Sequence, residues 1–177
     1  MKILVSVFNN LYTDQRVEKF CKTLHENAYQ IEVIGNNWGG NPEMKRPYPF
    51  SRISLQSKKL RFAYLEFQWK LFLVLLKKAD RNTILHANDL DALLPNYLVS
   101  KIKGIPLVWD SHEIFTEMPT VTNRWVQHVW RLLENALIRK IKYFITANDS
   151  YANWFETNYK IKRPIVIRNF PQKSESP

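Results

Sequence analysis

The sequence predicts an α/β domain: a doubly wound, mainly parallel sheet with helices on both faces. Short runs dominated by Val, Ile and Leu recur along the chain. They are too uniformly apolar for strands with one wet face, so they read as strands buried on both sides. Longer segments of helical periodicity lie between them, and such alternation builds right-handed βαβ units. At 177 residues, 45% of them hydrophobic and 24% charged, the chain suits one globular domain.

The first strand is Ile3–Phe8, and Asn9-Asn10 end its apolar run too early for a signal peptide. Val17, Phe20, Cys21, Leu24 and Ala28 then form a helical stripe, with Thr13 or Asp14 as N-cap. Ile31–Ile34 is the second strand, ending at Gly35. From Asn36 to Ser57 the chain is loop-like, with Pro42, Pro47 and Pro49, and Arg52–Leu55 is a candidate short third strand. Lys59–Ala79 is a long helix, Thr83–His86 a strand, and Leu90–Lys103 a helix closed by Gly104. Pro106–Trp109 is a strand and Ser111–Asn123 a polar loop. Val126, Val129, Trp130, Leu133 and Leu137 mark the next helix. Tyr143–Thr146, Ser150–Asn158 and Ile165–Ile167 complete the pattern as strand, helix and strand, and the polar tail Gln172–Pro177 is expected to fray.

Composition narrows the partners. Lys and Arg number 26 against 16 Asp and Glu, a net charge of +10, which suits nucleic acid, an anionic membrane face or a phosphorylated small molecule. The single cysteine, Cys21, permits neither an internal disulfide nor a cysteine-based zinc site. It reads as a core residue in a protein of the reducing cytoplasm. No G-x-G-x-x-G occurs, so no dinucleotide cofactor is expected.

In doubly wound sheets, ligands bind beyond the carboxyl ends of the strands. After the first strand stand Asn9 and Asn10, which suit either a polyol ligand or a turn. Arg16, near Asp14, suits either a phosphate or carboxylate grip or a surface position. After the fourth strand come His86, Asn88, Asp89 and Asp91; the acids and Asn88 read equally as helix caps, and His86 as a satisfied structural histidine. The segment Asp110-Ser-His112-Glu113, followed by Glu117, carries the most chemistry: a histidine among acids, suited to changing protonation near neutral pH. His86, His112, Asp89 and Glu113 lack a compact ligand spacing, so no metal is expected, and no G-x-S-x-G elbow marks a hydrolase.

With those residues laid out, the chain resembles the N-terminal, Rossmann-like domain of a GT-B glycosyltransferase of family 4. The resemblance rests on Asp14-x-Arg16-Val17-x-Lys19, on Ala28-Tyr29-Gln30-Ile31-Glu32-Val33 with Ala28 in place of a glycine, and on His86-Ala-Asn-Asp89-x-Asp91. It rests also on Asp110-Ser-His112-Glu113, Tyr143-Phe-Ile-Thr146 and Ile165-Val-Ile-Arg168-Asn169-Phe170-Pro171. It implies transfer from a nucleotide-sugar donor to a glycan or lipid-linked acceptor, with retention of configuration and without a metal. It further implies a catalytic role for His112 and acceptor-side roles for Asn9, Asn10, Arg16, Asp89, Glu113 and Glu117. Residues 1–171 would be the acceptor-binding domain, and 172–177 would lead towards a second domain holding the nucleotide site. The 177 residues alone are then expected to be catalytically incomplete.

The segment 58–78 combines flanking basic residues with Phe62, Tyr64, Leu65, Phe67, Trp69 and Phe72. It reads as a core helix with solvated ends or as a helix lying on an anionic leaflet, which would make the protein peripheral at the inner membrane face. Glu66 and Lys70 argue against a span. Two other readings stay open: a basic binding module for nucleic acid or another anionic ligand, without catalysis, and a small regulatory domain. The basic residues are scattered and no nucleic-acid-binding signature appears, so nucleic acid is not expected.

Overall fold

A computed structural model describes residues 1–38, 40, 43–122 and 124–170. The elements run β1 (Lys2–Asn10), α1 (Gln15–Glu26), β2 (Gln30–Asn36), β3 (Phe50–Ile53), α2 (Leu60–Lys78), β4 (Thr83–Asn88) and α3 (Asp89–Lys103). They continue with β5 (Leu107–Ser111), α4 (Trp125–Leu137), β6 (Tyr143–Thr146), α5 (Asp149–Tyr159) and β7 (Ile165–Val166). All seven strands pair in parallel in the order β3-β2-β1-β4-β5-β6-β7. The order reverses between β1 and β4, so the connections leaving those two strands diverge and open a crevice at their carboxyl ends.

Apolar spacing explains the layers. On one face, α2 buries Ala63, Phe67, Leu71 and Leu75, one residue per turn, against a core that includes Leu4, Ile34, Leu85, Leu90 and Leu93. Each such large apolar side chain contributes about 1.5–3 kcal/mol. Trp109 stacks on Phe144 at 4.3 Å between centroids and meets Phe155 edge-on, fastening α5 to the same layer. On the other face, Val17 and Cys21 of α1 pack on Ile3, Val5, Ile31 and Val33. Burial raises the Cys21 thiol to about 12, which fits the core reading.

Several boundaries differ from the hydropathy reading for one reason. Strands β1, β4 and β5 run on into polar residues, because backbone pairing extends past the apolar run: Asn88 pairs with Asp110, Ser111 with Thr146, and Asn10 with Asn36 after a register shift that follows Ser6. The third strand lies at Phe50–Ile53, two residues earlier than expected. Asp14, not Thr13, caps α1, accepting from the Val17 N–H at 3.0 Å. Helix α1 stops at Glu26, so Ala28 is no part of the buried stripe; it is exposed and holds φ of 63°. That conformation is one a glycine takes freely, which accounts for the glycine expected there. Gly35 has a steric reason: a Cβ there would sit 2.5 Å from Leu11 Cγ. The expected frayed tail, 172–177, lies outside the described residues.

The loop after β5 is anchored by a buried polar network. Glu134 of α4 is fully buried and accepts from the Tyr159 hydroxyl and from Thr116 Oγ1, at 3.3 Å in the second case. Gln127 Nε2 donates to the Thr116 carbonyl at 2.8 Å. Burial outweighs those bonds and raises the Glu134 carboxyl to about 7. Its folded pKa then lies above the unfolded one, so the native state holds a proton that the unfolded chain has lost. The stability this contributes is present below about 4.5 and is lost as pH rises to about 7. Glu134→Gln should therefore flatten the pH dependence of the denaturation midpoint between pH 4.5 and 7 and hold the pH 8 midpoint at or above the parent's. Urea melts across that range check this.

Candidate active site at the carboxyl ends of β1, β4 and β5

The carboxyl ends of β4 and β5 are adjacent in the sheet, so Asp89, the first residue of α3, faces the segment Asp110–His112. Asp89 holds a left-handed φ of 58°. For a non-glycine residue this costs on the order of 1–2 kcal/mol. The conformation directs its carboxylate at His112 twice: Oδ1 accepts from the His112 N–H at 2.9 Å, and Oδ2 lies 3.4 Å from Nδ1. The other ring nitrogen, Nε2, lies 3.4 Å from Asp110 Oδ2. The imidazole thus sits between two carboxylates, with 13% of its side chain open to solvent.

Arg16 completes the chain of charges. Its Nη2 donates to Asp110 Oδ1 at 2.8 Å and its Nε to Oδ2 at 3.3 Å, a forked pair across α1 and β5. Its Nη1 donates to the Ile167 carbonyl at 2.8 Å, just past β7. Lys19, one turn on, donates to the Phe170 carbonyl at 2.9 Å. Helix α1 therefore holds both the heart of the site and the segment leaving the sheet.

This packing sets the protonation states. Burial opposes charge on His112, but Asp89 and Asp110 outweigh it and raise its pKa to about 9. The direction is the one acidic neighbours impose on a histidine, and it favours the imidazolium at neutral pH. Burial alone would raise Asp110, yet His112 and Arg16 hold it at about 2. Asp89 is raised to about 6 by burial, which the nearby His112 charge only partly offsets. Asp91 is buried, its Oδ1 lacks a partner among the described residues, and burial with the neighbouring Asp89 keeps its carboxyl well above the usual range.

Some expected site residues fall elsewhere or serve other ends. His86 is buried beneath the Phe20 ring, 4.5 Å between centroids, and neither of its nitrogens is hydrogen-bonded among the described residues. It is structural but not satisfied, and burial lowers its pKa to about 4. Asn88 makes no helix-capping bond; its side chain donates to the Ser6 carbonyl at 3.1 Å. Asn10 shapes the turn after β1, accepting from the Tyr12 N–H and donating to the Gly40 carbonyl. Asn9 is exposed and steadies the Asp14 cap with a 3.0 Å bond. Arg16 is neither a surface residue nor free to grip a ligand, since all three of its nitrogens are engaged. Glu113 is exposed, and its carboxylate makes no bond among the described residues. Glu117 leaves the cluster altogether and pairs with Arg131 of α4 at 2.8 Å. Asp110, which links Arg16 to His112, is a site residue that the sequence pattern alone does not mark. Its only signal there is its place at the end of an apolar strand, directly before the histidine.

Among the described residues no group of three or more His, Cys, Asp and Glu is arranged to hold a metal ion, and no helix is long and apolar enough to cross a membrane.

The family model for Glycosyltransferase Family 4 matches residues 14–170, which takes in every member of this charge chain. The chain belongs to glycosyltransferase family 4. No curated protein matches the sequence. Solved structures resemble this family 4 chain in fold at low identity. A sucrose-phosphate synthase structure from Thermosynechococcus elongatus has a TM-score of 0.64 at 10% identity, with 99% of this chain and 91% of that one covered. MurG from Acinetobacter baumannii has a TM-score of 0.58 at 11% identity, with 99% and 50% covered. Os79 from O. sativa, in complex with UDP, has a TM-score of 0.61 at 10% identity, with 90% and 50% covered. The family 4 chain thus spans about half the length of the MurG and Os79 chains. An expected GT-B, Rossmann-like domain is what the sheet order and these neighbours present.

Proposed function

We propose that this chain is the acceptor-binding half of a glycosyltransferase that moves a sugar from a nucleotide-sugar donor to a glycan or lipid-linked acceptor. The observation that carries the reading is the His112 ring, held 3.4 Å from a carboxylate oxygen of Asp89 on one side and of Asp110 on the other, where the strand order reverses; that setting favours its imidazolium form. Breaking a sugar–phosphate bond builds negative charge on the leaving diphosphate, and a preorganised cation stabilises that charge without reorganising. A cation held by two carboxylates is an electrostatic group and not a general base. Neighbouring structures support the donor class: Os79 is seen with UDP, and WaaB is a lipopolysaccharide outer core galactosyltransferase.

In this reading transfer retains configuration and uses no metal, and the nucleotide is gripped by a second domain. Glu113 and Asn9, exposed at the crevice, face the acceptor. Arg16, Asp89 and Asn10 act on it through the shape they hold. Glu117 supports the reading least, since Arg131 holds it. For a lipid-linked acceptor the enzyme would lie on the inner membrane face through α2. That helix is a core helix on one side, yet its outer side exposes Phe62, Leu65, Trp69 and Leu73 beside Lys58, Lys59 and Arg61. Leu65 and Trp69 are 66% and 63% exposed, large values for apolar side chains of a core helix.

In the longer enzyme, His112→Ala should lower kcat on the order of 100-fold while circular dichroism shows the fold intact; unchanged turnover would remove His112 from the mechanism. The 177 residues alone should show no calorimetric binding of a nucleotide sugar, and micromolar binding would contradict the split site. The double change Leu65→Ser with Trp69→Ser should abolish co-sedimentation with phosphatidylglycerol vesicles. Retained co-sedimentation would exclude α2 as the leaflet contact.

A further inference from the structure

The end of the sheet opposite the crevice carries a second feature that the transfer chemistry does not use. An open cleft of about 670 Å³ lies at the amino ends of β6 and β7, between the segment entering β6 and the segment that follows α5. Its volume is in the range of small-molecule sites. Its rim is basic: Arg139, Lys142, Lys160, Lys162 and Arg163. Its apolar lining is mostly isoleucine, Ile138, Ile141, Ile161 and Ile165, beside the rings of Tyr143 and Phe144. A shallower depression of about 160 Å³ shares Ile141, Lys142 and Tyr143 with it and adds Lys101 and Lys140. Among the described residues no Asp or Glu lines either one.

The charges on this rim are largely uncompensated. Arg163 is neutralised by Asp149 at 3.0 Å and Glu156 at 3.4 Å, and Arg139 donates to the Tyr159 carbonyl. Lys101, Lys140, Lys142, Lys160 and Lys162 form no ion pair among the described residues. Three of these ammonium groups rest on ring faces: Lys101 and Lys140 over Tyr97, and Lys142 over Tyr143 at 5.2 Å. Lys160 occupies the left-handed position that ends α5, with φ of 52°, where a glycine is the usual residue. Like charges gathered without counter-ions raise the local potential and favour an anion, most strongly one with two or more negative oxygens.

We infer that this cleft binds a phosphate-bearing ligand with an apolar portion, the phosphate held by Lys142, Lys160 and Lys162 and the apolar portion lying on the isoleucine lining. The site is separate from the crevice and does not depend on the transferase reading. A lipid headgroup and a free phosphoryl compound share this chemistry. Nucleic acid fits less well: bases stack on successive aromatic platforms, whereas Phe144 is buried and Lys142 lies over the exposed Tyr143 ring.

The test uses the 177-residue chain, the Lys142→Glu/Lys162→Glu variant, and a control of equal charge change, Lys22→Glu/Lys45→Glu, on surfaces away from the cleft. The probes in calorimetry are inorganic pyrophosphate and monomeric dihexanoyl phosphatidic acid, which present the phosphate without a bilayer. Circular dichroism confirms folding of the variants. At least one probe should bind the parent and the control equally and bind the cleft variant at least tenfold more weakly. Loss of pyrophosphate binding assigns a free phosphoryl ligand; loss confined to the lipid assigns a headgroup. Binding of neither probe, or equal binding by parent and cleft variant, overturns the site. A single-stranded oligonucleotide that binds more tightly than both probes, and is lost in the same variant, overturns it in favour of nucleic acid.

Discussion

The forked pair between Arg16 and Asp110 is the contact on which the rest of the site depends. Asp110 is buried and ionised, so without Arg16 it would face the desolvation cost of a lone interior carboxylate. Removing one partner of such a pair typically costs about 3–5 kcal/mol, although the intact pair is weak evidence of net stabilisation. What the pair supplies is position. It fixes Asp110 beneath His112, joins α1 to β5, and through the Ile167 carbonyl ties in the last strand. His112 is then cationic because of where it is held, and Asp89 accepts an unfavourable backbone conformation to complete the clamp.

The apolar patterns made the fold legible. Seven strands and five helices follow from runs and stripes visible in the sequence, since burial on both faces leaves little freedom for polar residues inside a parallel sheet. Boundaries are less legible at the carboxyl ends, where Asn10, Asn88 and Asp110-Ser111 look like loop but have ladder partners. Hydropathy reports side chains, whereas pairing is a property of the backbone. Ala28 illustrates a second gap: its spacing continued the α1 stripe, while the chain had already turned through a left-handed residue.

The site was legible by region and less so by role. Asp89, Arg16 and His112 stand out in the sequence, and the structure brings all three together around Asp110. Their functions depend on distances across the sheet between α1, α3 and β5, which no local spacing encodes. The sequence places acids beside His112, but only the fold shows that Asp89 and Asp110 flank its ring on both sides. Glu117 lies only five residues further on, but the 3-10 turn Phe115–Glu117 carries it to Arg131. The excess positive charge is scattered along the sequence, yet the sheet gathers at its amino end five lysines that form no ion pair among the described residues.

The domain thus has two chemically distinct poles: a compensated ion chain at the carboxyl ends and an uncompensated basic cleft at the amino ends. The first is the central claim, and its direct test is an NMR titration of the four histidines, His25, His86, His112 and His128, in the 177-residue chain. His112→Ala identifies the resonance of interest. A His112 pKa near about 9 would establish the imidazolium clamped by Asp89 and Asp110. A value at or below the ordinary 6.5 would mean that the carboxylates do not overcome burial, and the fixed cation at the heart of the account would be gone.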